Sequence, residues 1–122
     1  ITGEGMSGGA IGMAAGDKVL IMEHAVYAVI SPEGCAGIIW RDRAFAPEAA
    51  KAMKITAQDL IEHKVVDRII PEPPGGAHSD PAAAIQLVGD AIEEELKALL
   101  PLTSEQLRKK RADRYLAIGR PN

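Results

Sequence analysis

The stretch Gly3-Glu4-Gly5-Met6-Ser7-Gly8-Gly9-Ala10 decides how the fold of this chain is interpreted. Its four glycines bracket the predicted start of a helix. Glycine carries no Cβ, so backbone N–H groups in such a stretch can approach a ligand closely. The first N–H groups of a helix have no intrahelical partner and lie at the positive end of the helix dipole. The stretch therefore predicts a pocket for negative charge, either on a bound anion or on a group that becomes charged during reaction.

Composition sets the limits of the fold and of the function classes. The chain has 122 residues, enough for one domain or part of one, and 47% are hydrophobic. Only 3% are aromatic, so Ala, Ile, Val and Leu must build the core. The net charge of −3 gives no argument for binding nucleic acid or a membrane surface. No apolar run reaches the roughly 18 residues that cross a bilayer, and no signal peptide is predicted, so we expect a cytoplasmic protein without a membrane anchor.

The first residues indicate a fragment. The chain begins with Ile1-Thr2, without an initiator Met, and enters the glycine stretch almost at once. A turn that binds an anion normally follows a strand, and here there is room for a strand stub at most. We expect the C-terminal piece of a longer polypeptide. A complete small domain with a processed terminus is the alternative.

The first third of the chain predicts alternating short strands and helices. Ser7 is a plausible N-cap for a short buried helix over residues 8–15, closed by Gly16. Residues 18–22 and 25–30 are predicted strands. Ser31-Pro32-Glu33 then begins a second helix, with Ser as the cap and Pro in the first turn.

The remainder predicts one further strand and four helices. The expected elements are a helix over 47–53, a helix capped by Thr56 with Asp59, a strand over 65–70, a Pro-Gly loop over 71–78, and two final helices. Asp80-Pro81 caps the first of these, to about Leu99, and Thr103 with Gln106 opens the second, to about residue 118. The stripe expected to be buried on the long helix is Ile85, Val88, Ile92, Leu96 and Leu99. The alternation predicts an α/β fold in which the last two helices form a C-terminal appendage.

Three stretches together carry a resemblance to a known family. Residues 3–30 give a glycine loop, a helix of small residues, an Asp, a strand, a polar pair and a second strand, an order that resembles the crotonase superfamily. Residues 30–40 (Ile-Ser-Pro-Glu-Gly-Cys-Ala, ending in Ile-Ile-Trp) and 70–78 (Ile-Pro-Glu-Pro-Pro-Gly-Gly-Ala-His) are more specific. They resemble the carboxyltransferase alpha subunits of bacterial-type acetyl-coenzyme A carboxylase. One departure is Met6, where that family usually has Gly.

The resemblance implies a fold and a set of site residues. The fold is a partial crotonase-like (ClpP/crotonase) ββα spiral, with residues 1–78 as the C-terminal part of the core and 79–122 as a helical extension. The N–H groups of Gly8 and Gly9 would be the catalytic oxyanion hole. Residues at the loop and at the start of the second helix would bind substrate, namely Gly5, Met6, Ser7, Glu33 and Gly34.

The resemblance also implies a reaction and partners. The carboxyl group of carboxybiotin would move to acetyl-CoA, giving malonyl-CoA for fatty acid biosynthesis. Biotin would be carried on a partner, the biotin carboxyl carrier protein. Zinc is expected only on a beta subunit, with no metal in this chain, and two alpha and two beta subunits would form a heterotetramer.

Three alternatives stay open at this point. Gly8-Gly9 could serve close helix–strand packing alone. The chain could be a stand-alone enoyl-CoA hydratase or isomerase, for which Glu33 is the best-placed acid. It could also be a non-catalytic assembly module that supplies packing surface to a beta subunit.

The other reactive residue types carry weaker hypotheses. Cys35 lies in an apolar helix, where cysteines are usually inert, and as the single cysteine it excludes a disulfide framework. Glu23 and His24 are more typical of a solvated turn than of an acid–base pair, whereas His78 could contact a partner or line the pocket. The three histidines, His63 included, have no metal-ligand spacing. The basic residues 108–111 and Arg114 lack interleaved aromatics, so a solvated face, or a contact with an acidic partner or CoA phosphates, is favoured over nucleic acid.

Overall fold

Short strands in two separate parallel pairs form the sheet structure of this chain. The computed structural model describes residues 4–118; Gly3, the first glycine of the loop, lies outside them. Strand β1 (Glu4–Met6) pairs with β3 (Val26–Ala28), and β2 (Leu20–Met22) pairs with β4 (Arg68–Ile70). Each predicted strand exists but is only three residues long. The α/β class is confirmed, whereas the crotonase-like spiral stays a prediction.

Six α-helices follow the predicted order within residues 4–118, with bounds Ser7–Ala14 (α1), Pro32–Ile39 (α2), Ala46–Met53 (α3), Ala57–Glu62 (α4), Pro81–Leu99 (α5) and Ser104–Ala117 (α6). Three predicted caps are confirmed. The Ser31 hydroxyl accepts from the Gly34 N–H at 3.1 Å, and the Asp80 carboxylate accepts from the Ala83 N–H at 3.0 Å. Thr103 forms a complete capping box with Gln106. These caps depend on residues three positions apart, which is why they can be predicted from sequence.

At Thr56 only half of the predicted capping box forms. The Thr56 hydroxyl accepts from the Asp59 N–H at 3.3 Å, as expected for an N-cap. The Asp59 carboxylate accepts from that same hydroxyl at 2.7 Å, rather than from the backbone N–H of Thr56. These bonds, together with the neighbouring Lys54, hold the pKa of Asp59 below its ordinary value.

The start and the burial of α1 differ from the prediction. Met6 is the N-cap, with extended backbone angles, and no side chain caps the helix. Ser7 is the first residue of α1 and has a φ of +54°. The chain turns at this residue because β1 runs directly into α1. Its hydroxyl is therefore not at the cap. Ala10 is the buried residue of α1, so the expectation of a buried helix is wrong for this chain.

The closure of α1 also differs from the prediction. The helix ends at Ala14, and Ala15 is a right-handed C-cap. Gly16 does not adopt the left-handed conformation that would make it a typical closing glycine, since the positive-φ glycines of the described chain are Gly75 and Gly76.

The main hydrophobic cluster lies where β2, β4 and α4 meet. Its members are buried aliphatic residues from these elements and their flanks: Val19, Ile21, Ala25, Ala57, Leu60 and Val66. Ile70, at the end of β4, has no exposed side-chain surface. Aliphatic residues build this cluster, as the composition predicted.

Helix α5 packs through a face next to the predicted stripe. Ala84 and Ala91 are buried, whereas Ile85 is 73% exposed and Leu96 is 52% exposed. Polar contacts accompany this rotation, because Arg68 on β4 contacts Glu94 at 2.6 Å and Lys18 contacts Glu95 at 3.3 Å. The predicted burial of Ile85, Ile92 and Leu96 is therefore wrong, while Val88 and Leu99 are half-buried.

Across residues 4–118, none of the helices combines the length and the apolar character that a membrane crossing requires.

Candidate functional site

The glycine stretch places backbone N–H groups at an open helix start. Gly5 is buried in β1 and Met6 is half-buried, while Ser7, Gly8 and Gly9 are exposed in the first turn of α1. A Cβ added at Gly8 or Gly9 would meet no atom of the described chain within 4 Å. Within residues 4–118, close packing therefore gives no reason for glycine at these two positions. Their amides can be approached from outside the helix.

A cavity of about 330 Å³ lies beside this turn. Ser7 and Ala10 of α1 form one side of it, and β3 and the segment after α3 form others. The lining is mostly aliphatic and consists of Ser7, Ala10, Ile11, Tyr27, Ala28, Val29, Met53, Lys54, Ile55, Leu60 and Val65. Lys54, the charged residue of this lining, is 57% exposed and lies 3.6 Å from an Asp59 carboxylate oxygen. An apolar cavity next to open amides suits a ligand with one polar acceptor on a hydrophobic body.

Of the predicted site residues, Ser7 lines this cavity, whereas Gly5, Met6, Gly8, Gly9, Glu33 and Gly34 do not. Glu33 is exposed in the first turn of α2, where a carboxylate stabilises the positive end of the helix. The Gly34 N–H is bonded to Ser31, and a Cβ there would lie 2.8 Å from Cγ1 of Ile30. Both residues thus have local roles in α2, and their predicted part in substrate binding stays a prediction.

Side chains from α6 bind the carboxyl end of α1. The Arg114 guanidinium donates to the carbonyl oxygens of Ala14 and Gly16, both at 3.1 Å. Arg111 donates to the Ala15 carbonyl oxygen at 3.1 Å, and the Tyr115 hydroxyl donates to that of Ala14. We call Arg111, Arg114 and Tyr115 the C-terminal clamp. Each cation near a helix C-terminus typically contributes about 0.3–1 kcal/mol.

Two arginines of the basic segment form ion pairs within the chain. Arg111 also lies 3.5 Å from Asp17, and Arg114 lies 2.8 Å from Asp67. The predicted solvated face is therefore wrong for these two arginines, although residues 108–110 are exposed as expected. Sequence reasoning missed the clamp because its acceptors are mainly backbone carbonyls. The available signal was the spacing of Arg111, Arg114 and Tyr115, which share one side of a helix.

Tyr27, also missed, supports α1 from the strand side. Its hydroxyl donates to the carbonyl oxygen of Ala10. Burial raises the pKa of Tyr27, nearby Tyr115 raises it further, and Arg114 opposes the shift. The hydroxyl therefore keeps its proton and stays a donor at neutral pH.

A second polar group links the ends of β2 and β4. Glu72 accepts from Nδ1 of His24 at 3.1 Å and from the backbone N–H of Ala77 at 3.1 Å. Its own N–H donates to Glu23 at 3.1 Å. The hydrogen bond from His24 holds the pKa of Glu72 below its ordinary value. The turn at Glu23 and His24 is thus bonded to the 71–78 loop and is not simply solvated.

His24, Glu72 and His78 also line a second cavity, together with Gly75 and Gly76. Cys35 is half-buried in α2, as its apolar surroundings predicted. Among residues 4–118 no three His, Cys, Asp or Glu side chains come together in a way that could hold a metal ion.

Residues 1–119 match the family model described as acetyl co-enzyme A carboxylase carboxyltransferase-like. The chain belongs to this family.

Individual relatives of this chain have descriptions that agree with the family match. The chain is 66% identical over 120 residues to the acetyl-coenzyme A carboxylase carboxyl transferase subunit alpha of Caulobacter sp. (strain K31), covering 98% of this chain and 38% of that protein. It is 67% identical to the protein of the same description from Phenylobacterium zucineum (strain HLK1), with the same coverage. The corresponding protein of Acidiphilium cryptum (strain JF-5) is 62% identical over 119 residues, 98% of this chain and 37% of that protein. The chain thus spans well under half the length of these relatives.

Proposed function

We propose that this chain is part of the alpha subunit of an acetyl-CoA carboxylase carboxyltransferase. That subunit would move the carboxyl group from carboxybiotin to acetyl-CoA and give malonyl-CoA for fatty acid synthesis. The observation that carries the proposal is the open first turn of α1, where Gly8 and Gly9 are exposed and their neighbours Ser7 and Ala10 line an apolar cavity. The family match and the names of the relatives support it.

The residues of this site fit biotin carried on a partner protein. Biotin has a ureido oxygen that accepts hydrogen bonds and a ring system that is otherwise mainly apolar. The first turn offers donors without a side-chain cap, and the neighbouring cavity offers aliphatic walls. When bound, the carboxylated cofactor supplies the carboxyl group.

The chain itself supplies backbone electrostatics. The Gly8 and Gly9 N–H groups would stabilise negative charge on an oxygen, helped by the positive end of α1. Each such donor is typically worth about 3–4 kcal/mol in transition-state stabilisation. Gly5 and Met6 would fix the approach of β1 to the turn, and Ser7 would form the rim of the cavity. The larger Met6 side chain would narrow the entrance relative to the glycine usual in the family.

In this proposal the other parts of the enzyme lie in the rest of the alpha subunit and on partner proteins. A beta subunit would bind the thioester and carry zinc, the biotin carboxyl carrier protein would deliver biotin, and the assembly would contain two alpha and two beta subunits. The partial crotonase-like core over residues 1–78, the helical extension over 79–122 and the cytoplasmic location are part of the same proposal.

The test uses the complete subunit assembled with its beta partner. Biotin-dependent consumption of malonyl-CoA is measured for Gly8→Val and Gly9→Val, with Gly89→Val as the matched control. Gly89 lies in α5, and a Cβ there also meets nothing within 4 Å. We expect the two α1 variants to lose about 100-fold or more in turnover, as for the loss of an oxyanion donor, and the control to keep its activity.

Other outcomes would favour the alternatives. Unchanged turnover in Gly8→Val would refute the oxyanion role of this turn. Activity that survives bulky residues at both Gly8 and Gly9 would favour the assembly module. Hydration of crotonyl-CoA by the alpha subunit alone would favour a stand-alone hydratase.

A further inference from the structure

We propose that Arg114 is a positioning residue for the proposed reaction, holding α1 by its carboxyl end so that its first-turn amides meet the reacting oxygen. Arg111 and Tyr115 complete this clamp. The inference rests on the proposed function of Gly8 and Gly9. It adds a role for the last helix of the chain, which contributes no residue to the cavity beside those amides.

The geometry at Arg114 is that of an anchored junction. Its side chain is only 14% exposed, and it donates to three acceptors: the Ala14 carbonyl, the Gly16 carbonyl and the Asp67 carboxylate. Asp67 is itself fixed, because its carboxylate accepts from the Val19 N–H at 2.7 Å and its own N–H donates to the Val19 carbonyl at 2.8 Å. Through Arg114 the end of α1 is therefore joined to the segment that precedes β2.

Helix α1 is joined at its amino end to β1, which pairs with β3, and buries little of its own surface. Ala10 is its one buried residue in the described chain, while Ile11 is 73% exposed. No side chain caps its amino end. The hydrogen bond from Tyr27 to the Ala10 carbonyl and the clamp at the carboxyl end thus fix the part of α1 that lies away from β1.

A shift at one end of α1 reaches the other end. The helix rises about 1.5 Å per residue, so Ala14 and Gly9 are separated by only about 7–8 Å of rigid backbone. Catalytic groups tolerate little displacement, since a misplacement of about 1 Å can lower a rate about 100-fold. Loosening the clamp should therefore lower turnover even though Arg114 does not line the cavity beside the first turn.

The experiment compares Arg114→Met and Arg114→Lys with Arg108→Met in the complete subunit assembled with its beta partner. Arg108 is on the same helix, is exposed, and makes no side-chain hydrogen bond or ion pair within residues 4–118. The biotin-dependent consumption of malonyl-CoA is measured per mole of assembled complex isolated by size exclusion. We expect Arg114→Met to lower kcat about tenfold or more, with the KM for malonyl-CoA unchanged within about twofold. The kcat of Arg114→Lys should lie between those of Arg114→Met and the parent. The kcat of Arg108→Met should equal that of the parent.

A purely structural role would give a different result. It would reduce the yield of assembled complex or its melting temperature but leave kcat per assembled complex unchanged. If Arg114→Met does not assemble, Arg114→Lys and Tyr115→Phe decide the question, because both preserve bulk and remove part of the donor set. Parent-like kcat in both milder variants would overturn the inference.

The proposed function and the positioning role of Arg114 can be refuted separately. If Gly8→Val loses turnover and Arg114→Met keeps the parent kcat, the positioning role is wrong and the proposed function stands. If Gly8→Val keeps full turnover, the proposed function itself fails.

Discussion

The glycine helix α1 and the region around β2, β4 and α4 hold their positions by different means. The second region encloses a cluster of buried aliphatic side chains, including Ile21, Leu60 and Val66. Helix α1 buries little beyond Ala10 and is held instead by hydrogen bonds from Tyr27 and from the C-terminal clamp. Burial of apolar surface is strong and non-directional, whereas hydrogen bonds are weaker and fix direction. Apolar burial thus stabilises the region around β2, β4 and α4, whereas directional hydrogen bonds fix the position of α1.

The largest effect on stability should come from the packed region. Ile70→Ala removes the fully buried side chain at the end of β4 and should lower the free energy of unfolding by about 2–5 kcal/mol. Ile11→Ala is the comparison in α1, because that side chain is 73% exposed and should cost about 0.5 kcal/mol or less. Urea unfolding of the chain measures both. If both substitutions lowered the free energy of unfolding equally, the proposed difference between the two regions would be wrong.

Helix caps should give the next effect. Thr103→Ala breaks the capping box of α6 and should destabilise the chain by about 1 kcal/mol. Ser7→Ala should change stability little, because the Ser7 side chain makes no cap hydrogen bond to α1. Thermal unfolding of the two variants side by side tests this. A loss for Ser7→Ala as large as that for Thr103→Ala would show that the hydroxyl caps the helix after all.

A smaller and opposite effect is expected at Gly9. A Cβ meets no atom there, and alanine is favoured over glycine in a helix by about 0.5–1 kcal/mol. Gly9→Ala should therefore raise the unfolding free energy, as Gly89→Ala should in α5. Only Gly9→Ala should also lower the turnover of the assembled enzyme, because its methyl group lies at the proposed oxyanion donor. If neither stability nor turnover changes at Gly9, the first turn of α1 has no special role.

The smallest effect concerns pH. The His24 hydrogen bond lowers the pKa of Glu72 below its ordinary value of 4.5, so the folded state favours the ionised carboxylate. This contribution is fully present above pH 4.5 and is lost as the pH falls through the lower folded pKa. The Glu72→Gln variant should therefore lose less stability than the parent on acidification below pH 4.5. Parallel pH profiles for the two proteins, measured by urea unfolding, would contradict the assignment.

Local features of this fold were predictable and long-range ones were not. The caps at Ser31, Asp80 and Thr103 depend on neighbours within one helical turn, so the residues themselves reveal them. The buried face of α5 was predicted wrongly because the prediction assigned burial to the large apolar residues, such as Ile85. The residues that are buried on α5 are Ala84 and Ala91, and Arg68 forms an ion pair with Glu94 of this helix.

In the candidate site, too, the local features could be predicted and the long-range ones could not. The glycine turn could be predicted because glycine, helix start and anion binding are linked by backbone chemistry alone. The positive φ of Ser7 could not, since it arises only because β1 runs without a break into α1. The clamp on α1 was also invisible, because Arg114 and Gly16 are 98 positions apart and the acceptor is a carbonyl that every residue possesses.

The separation between Ala14 and Arg114 has a consequence for biosynthesis. A hydrogen bond that joins residues 100 positions apart cannot form until α6 has left the ribosome. Helix α1 is therefore synthesised well before the residues of the clamp that hold its carboxyl end. A nascent or prematurely terminated polypeptide would contain every amide of the first turn and still lack the fastening that aligns them.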